Sequence, residues 1–388
     1  MILKIKLALI HLAQIFLFLI PLRENRIMFY ANNRKGYVCN PGALVDYIRQ
    51  NEPGQYDLIW ATRFPETCEA RDDIIVVKQR SLSYFRYFIT TKYLITNDMV
   101  DEALVKKKGQ IFLTTWHGGG AYKKVGISTL NEDAAFAGNF KSWYGRLDYF
   151  VSSCKKCTDM YADAFGLAKH QFLETGTPRN DIFFHEHEEI RQRVHNFYDL
   201  SEQTKILLFA PSFQMSAPEK ESYDRRELAQ VAEQLQNATG TPWIVLYRCH
   251  YLREEIQDDG AALLKDGNAY YEMQDLLYTA DVLVTDFSSC IWDFSLTGRP
   301  IVVLESRLRE YEAEDRGFFV PHDTWPYLRT AGIEQMTDVI IANLNKDFSS
   351  AYKIHWEEMG SFETGNACEQ IVDTVIKGGE ATNERAAE

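Results

Sequence analysis

The 388-residue sequence contains no Gly/Ser- or Pro-rich tract, no internal repeat and no uninterrupted apolar run of the length that spans a bilayer, about 20 residues. These absences exclude a disordered linker protein, a solenoid and a polytopic membrane protein. Positive charge is also short: 42 Lys and Arg stand against 55 Asp and Glu, a net charge of -13, which argues against a surface built to grip nucleic acid. The seven cysteines are odd in number and scattered, unlike a disulfide scaffold, so a reducing compartment is expected. A Walker A loop, a nucleophile elbow and a metalloprotease helix are all missing. What is present is a hydrophobic fraction of 46% with 21 Tyr and 23 Phe, enough for a sizeable core. The length exceeds one core and predicts two domains.

The N-terminus departs from this pattern. Leu7 to Ile20 is apolar apart from His11 and Gln14, and the following Pro21-Leu22-Arg23-Glu24 offers no small-residue cleavage site. At helical spacing Lys4, His11 and Gln14 fall on one narrow stripe with Lys6 beside it, which suits an uncleaved amphipathic helix over residues 1–22 lying in a membrane interface. The alternatives are a buried first helix of the domain and a true membrane span.

From Arg26 onward short apolar runs alternate with helical patterns, the signature of βαβ units and parallel sheets. Strands are expected at 26–31, 56–61, 74–77, 93–96, 110–116 and 148–152. A second series opens at Lys205 after a charged stretch around His185 to Asp199, with strands at 205–211, 243–248, 281–285 and 300–304. This predicts an N-terminal Rossmann-like domain over 23–200 and a C-terminal one over 201–388, facing a central cleft. In such sheets ligands sit beyond the carboxyl ends of the strands.

The stretches that carry chemistry follow strands. Asp281 to Thr285 runs into Asp286, Ser288 and Ser289 before a helix, so the hydroxyls of Thr285, Ser288 and Ser289 and free backbone N–H groups would meet a phosphate. The bland reading of either serine is an N-cap. His117 follows the strand ending at Trp116 and precedes Gly118, Gly119 and Gly120, which let a backbone approach a ligand closely, and then Lys123 and Lys124. That setting makes His117 a candidate catalytic residue and Gly118, Gly119 and Lys123 candidate phosphate or acceptor contacts. Arg248 and His250 close another strand and would reach phosphoryl oxygens, while Arg179, in Thr175-Gly-Thr-Pro-Arg-Asn-Asp181, is either a phosphate ligand or a domain-linking ion pair. Cys154-Lys-Lys-Cys157 admits a rival redox reading, weakened by the absence of a second pair and by the chain length.

Taken in order, Thr115-Trp-His-Gly118, Pro178-Arg-Asn-Asp181, Thr285-Asp-Phe-Ser-Ser289 and Asp315-Arg-Gly-Phe-Phe319 resemble the CDP-glycerol glycerophosphotransferases of the teichoic-acid type over roughly residues 26 to 325. The resemblance implies a GT-B fold, cytoplasmic activity at the membrane surface, and transfer of glycerol phosphate from CDP-glycerol to a hydroxyl of a lipid-linked or glycan acceptor with release of CMP. On its terms His117 is a general base, His250 helps hold the donor phosphates, Ser288 and Ser289 take the pyrophosphate, Arg316 is a further ligand, and neither metal nor cofactor is expected. The chain departs from the family in reading Gly119-Gly120 for Thr-Pro, Gln214 for Arg, and Tyr251 for Pro after His250. Rival readings are a CDP-ribitol-dependent transferase, a sugar-nucleotide glycosyltransferase and a non-catalytic nucleotide- or glycan-binding scaffold. The extra N-terminal domain of some polymerising members is not seen, which points to single addition.

Overall fold

The computed structural model describes residues 2–31, 35–129, 143–212, 223–249 and 262–378, with side chains from residue 6 onward. The backbone divides into two units. The first comprises Met1–His117, Asp133–Asp181 and Phe362–Glu388, the second Gly118–Glu132 and Ile182–Ser361.

The first unit is a seven-stranded parallel sheet of β1 (Arg23–Tyr30), β2 (Asp57–Thr62), β3 (Ile74–Lys78), β4 (Thr91–Thr96), β5 (Ile111–Thr114), β6 (Tyr149–Val151) and β7 (Phe172–Leu173), in the order 3-2-1-4-5-6-7. Its central strands read as continuous Ile/Leu/Phe/Tyr runs and are buried on both faces, as helices covering both sides of a parallel sheet require. The second unit is a six-stranded parallel sheet of β8 (Lys205–Phe209), β9 (Trp243–Tyr247), β10 (Leu264–Asp266), β11 (Val282–Thr285), β12 (Ile301–Leu304) and β13 (Leu328–Thr330), in the order 10-9-8-11-12-13. Each order reverses direction beside the first strand of its sheet, and the crevice at such a reversal is where ligands bind. In the second unit it lies between β8 and β11.

The expected strands are all present with ends shifted by a few residues. β7, β10 and β13, of two or three residues each, are too short to show a period and were not anticipated. The predicted boundary at 200/201 falls at 181/182 instead. The helix Glu188–Phe197 belongs to the second unit, where Arg193 pairs with Asp275 at 2.8 Å and hydrogen-bonds the Tyr270 hydroxyl at 3.0 Å. The chain then returns to the first unit from Phe362. There the helix Ala367–Ile371 receives its cap from a remote residue: the Asp181 carboxylate accepts from the N–H groups of Ala367 and Cys368, both at 2.9 Å. Helix-forming patterns are local, whereas the unit that a helix packs against is decided by such distant contacts.

In the first helix, Ile2–Phe16, the polar stripe faces the domain. The polar side chains turn inward: His11 Nε2 bonds the carbonyl of Glu102 at 2.8 Å, and Gln14, only 2% exposed, donates to the carbonyl of Ala103 and accepts from Val105 N. The apolar face consequently points out, with Phe16 72% and Leu19 94% exposed. No helix among the described residues is long and apolar enough to cross a membrane.

Replacing Asp181 with Ala leaves two helix-terminal N–H groups without their acceptor and is expected to lower stability by about 1–3 kcal/mol, with partial recovery in Asp181→Asn, which keeps one acceptor. Urea unfolding measures it. An unchanged midpoint would mean that water replaces the carboxylate at no cost.

Candidate functional site

In the first unit His117 is positioned by the backbone around the ends of β4 and β5. The chain leaves β5 when Thr115 N donates to the carbonyl of Thr96 at 2.7 Å, and Trp116 adopts a left-handed conformation, φ 53°, unusual for a bulky residue. That turn lays the Trp116 indole against the His117 ring, with centroids 4.5 Å apart. His117 Nδ1 lies 2.9 Å from the carbonyl of Asn97. A carbonyl only accepts, so Nδ1 carries the hydrogen and Nε2 is the basic nitrogen of the neutral ring.

Two residues brace this turn from behind. Asn40 donates to the carbonyl of Trp116 at 2.8 Å and accepts from Arg179 N at 3.0 Å. Arg179, 8% exposed, donates to the carbonyl of His117 at 2.9 Å and contacts Cys39 Sγ at 3.3 Å. Within the first unit it braces the main chain that carries His117. Asn40 was visible in the sequence only as the residue before a helix-starting proline.

In the second unit the crevice between β8 and β11 is closed by polar contacts. Thr285, 1% exposed, donates its hydroxyl to the carbonyl of Ala210 at 2.6 Å. Asp286, also buried, accepts from Ser212 N at 2.7 Å and from Phe287 N at 2.5 Å. Thr285 therefore ties β8 to β11 and does not aim its hydroxyl at a ligand. Ser288 and Ser289, half-buried, follow at the turn. Ser289 stands at the N-cap of the helix Cys290–Ser295 with no side-chain cap bond, and Ser288 Oγ accepts from Cys290 N only at 3.5 Å. Neither hydroxyl is committed to a strong cap.

The segment Gly118–Ser128 belongs to this same unit. Its residues 122–124 pair with 317–319: Lys123 and Phe318 form an antiparallel bridge, Lys124 N donates to the carbonyl of Gly317 at 3.1 Å, and Phe319 N donates to the carbonyl of Tyr122 at 2.8 Å. That pairing sets Lys123 beside Arg316. Burial, and then the repulsion of Arg316, push the Lys123 ammonium down to about 8, against the attraction of Asp286 and Asp315. Two cations are thus held together beside the serine turn, a group able to receive the negative charge of a phosphate.

Arg248 behaves otherwise. Its guanidinium donates to the carbonyls of Gly267 (2.7 Å), Tyr270 (2.5 Å) and Tyr271 (2.9 Å) and so holds the loop after β10. His250 and Gln214 lie outside the described residues. Cys154 and Cys157 are buried free thiols, and Cys154 Sγ caps its helix by accepting from Cys157 N at 3.4 Å. Among the described residues no group of three His, Cys, Asp or Glu side chains is placed to hold a metal.

The family model described as CDP-Glycerol:Poly(glycerophosphate) glycerophosphotransferase matches residues 12–377. A teichoic acid glycerol-phosphate transferase of Staphylococcus aureus is 27% identical over 91% of this chain and 93% of its own length. A teichoic acid poly(glycerol phosphate) polymerase of Bacillus subtilis is 25% identical over 92% of this chain, which spans 49% of that larger protein. Among solved structures, the wall teichoic acid polymerase TagF superposes with a TM-score of 0.82 at 21% identity, over 93% of this chain and 90% of the other. At that identity the likeness establishes the fold, which is GT-B.

The Lys123 environment predicts a pH dependence. The ammonium form attracts a phosphate and is lost as pH rises through about 8, so affinity for CDP should fall between pH 7 and 9.5. In Lys123→Arg, whose guanidinium stays charged, the fall should flatten. Calorimetric titration across that range decides it; pH-independent binding by the wild type would remove Lys123 from the phosphate site.

Proposed function

Because the chain belongs to the CDP-glycerol:poly(glycerophosphate) glycerophosphotransferase family, we propose a reaction in which its second unit holds CDP-glycerol and His117 activates the acceptor. The protein is a transferase of glycerol phosphate in teichoic-acid-type synthesis. The observation that carries the proposed donor site is the pairing of residues 122–124 with 317–319, which sets Lys123 beside Arg316 at the strand-order reversal of the second sheet. Lys123, Arg316 and the Ser288–Ser289 turn take the donor's pyrophosphate.

An acceptor hydroxyl attacks the β-phosphorus of the donor. The new P–O bond forms to the acceptor, the bond to the bridging oxygen breaks, and CMP leaves with that oxygen. The acceptor's proton passes to Nε2 of His117, the nitrogen left basic by the Nδ1 contact with the carbonyl of Asn97. Phosphoryl transfer asks little covalent chemistry of a protein, so positioning and charge neutralisation dominate. Lys123 and Arg316 stabilise charge on the leaving CMP as the bridging bond breaks. The acceptor is a hydroxyl of a lipid-linked or glycan molecule.

The exposed apolar face of the first helix supports a reading in which the enzyme attaches to the cytoplasmic membrane surface. Its outward apolar face would sink into the interface, while exposed Lys6 and Lys108 and half-buried Lys107, which donates to the carbonyl of Ile20, would meet anionic headgroups. Inward-turned His11 and Gln14 secure the helix to its domain, so the exposed face belongs to a docked element.

His117→Ala is expected to lower kcat for CMP release from CDP-glycerol by about 10²–10⁴-fold with donor affinity little changed. Single-turnover assays with separate calorimetry test this, and parallel assays with CDP-ribitol and sugar nucleotides test the donor. Near-normal turnover would rule out His117 as the base. For the membrane, Leu12→Glu with Phe16→Glu should abolish sedimentation with anionic vesicles, because two apolar side chains contribute about 1.5–3 kcal/mol each on burial. Both are exposed, so the melting temperature should hold; unaltered sedimentation would locate attachment elsewhere.

A further inference from the structure

The glycines after His117 have a demanding neighbour within the second unit. A β-carbon on Gly119 would stand 2.3 Å from Cδ1 and 2.9 Å from Cγ of Trp292, and 3.0 Å from an Asp293 carboxylate oxygen. On Gly120, whose φ is +62°, it would stand 2.9 Å from Cε3 of Trp292 and 2.5 Å from the Tyr122 ring. The glycines therefore admit an indole that is 0% exposed, which accounts for them without any ligand approaching their backbone.

Trp292 lies on the helix Cys290–Ser295, directly after the Ser288–Ser289 turn. Its ring also packs edge-on against Tyr122 at 6.3 Å. The Tyr122 hydroxyl is fixed in turn by Tyr327 at 2.7 Å and by His355 Nε2 at 2.8 Å, and its carbonyl accepts from Phe319 N. One rigid side chain thus touches both the segment that presents Lys123 and the helix that follows the serine turn.

We propose that Trp292, seated in the space left by Gly119 and Gly120, is the positioning residue that sets Lys123 against the Ser288–Ser289 turn for binding of the donor's pyrophosphate. This rests on the donor site proposed above. A residue with a β-carbon at 119 cannot coexist with the indole in its present place.

The test is a double-mutant cycle of Gly119→Ala and Trp292→Ala, reading KM and kcat with CDP-glycerol, CDP affinity against pH, and the melting temperature. Gly119→Ala should raise KM by about 10–100-fold, the range that displacement of a binding group by up to an ångström produces, with kcat little altered. The pH midpoint of CDP binding should move away from the wild-type value as Lys123 shifts in its setting. In the Trp292→Ala background Gly119→Ala should add nothing further, because the clash is gone, and Trp292→Phe, which keeps a ring, should lie closer to wild type than Trp292→Ala. Should Trp292→Ala not fold, Gly119→Ala and Trp292→Phe remain decisive through KM and the pH midpoint. Additive effects in the cycle, or a lowered melting temperature with KM and pH midpoint unmoved, would overturn the proposal and reduce Trp292 to core packing. A wild-type protein that neither binds nor turns over CDP-glycerol would instead refute the donor reading itself.

Discussion

The second unit depends on a short piece of backbone pairing between residues that are remote in sequence. Tyr122–Lys124 and Gly317–Phe319 satisfy each other's N–H and C=O groups, and in doing so bring a lysine and an arginine together against their mutual repulsion. Such a pairing is stable because Asp286 and Asp315 offset part of the charge and the aromatic side chains around it exclude water. Phe318 stacks on Tyr311 at 5.2 Å and meets Trp325 edge-on at the same distance, so the strand edge is embedded in apolar surface. A phosphate there would replace repulsion between cations by attraction to both, which is the ground on which the donor site is proposed at this pairing.

The first unit solves a different problem, holding one imidazole in one orientation. Its solution consists almost entirely of main-chain carbonyls. The Asn97 carbonyl selects the His117 tautomer, while Asn40 and Arg179 grip the carbonyls of Trp116 and His117 and so hold the turn that carries the ring. A charged guanidinium used in this way gains charge-assisted hydrogen bonds while remaining buried. Arg248 does the same for the loop after β10 in the second unit.

Much of the fold was legible in the sequence because alternation of apolar strands with amphipathic helices is a local property. β1, β4, β8 and β11 were anticipated as strands, and the serine turn and His117 were placed at strand ends where the parallel topology puts ligands. Legibility failed where a local pattern admits two partners. The stripe of His11 and Gln14 identified an amphipathic helix, yet a stripe cannot say which side faces the domain, and the backbone groups of Glu102, Ala103 and Val105 decided that. The charged stretch before Lys205 was assigned to the first domain, but Arg193 finds Asp275 and carries its helix into the second unit.

The sequence alone determined two parallel α/β sheets, the strand ends at which chemistry is expected, and the residue types available there, because period and spacing are written along the chain. Only the tertiary structure decided what each of those residues does. Thr285, Arg179 and Arg248 each hold a carbonyl of a distant segment, which their residue types alone do not reveal. Gly119 and Gly120 also make room for Trp292, whose position in the chain gives no hint of its contact with them. A hydrogen-bond donor or a missing β-carbon acquires its meaning from whichever atom lies within about 3 Å, and for these residues that atom belongs to a part of the chain that folding alone brings near.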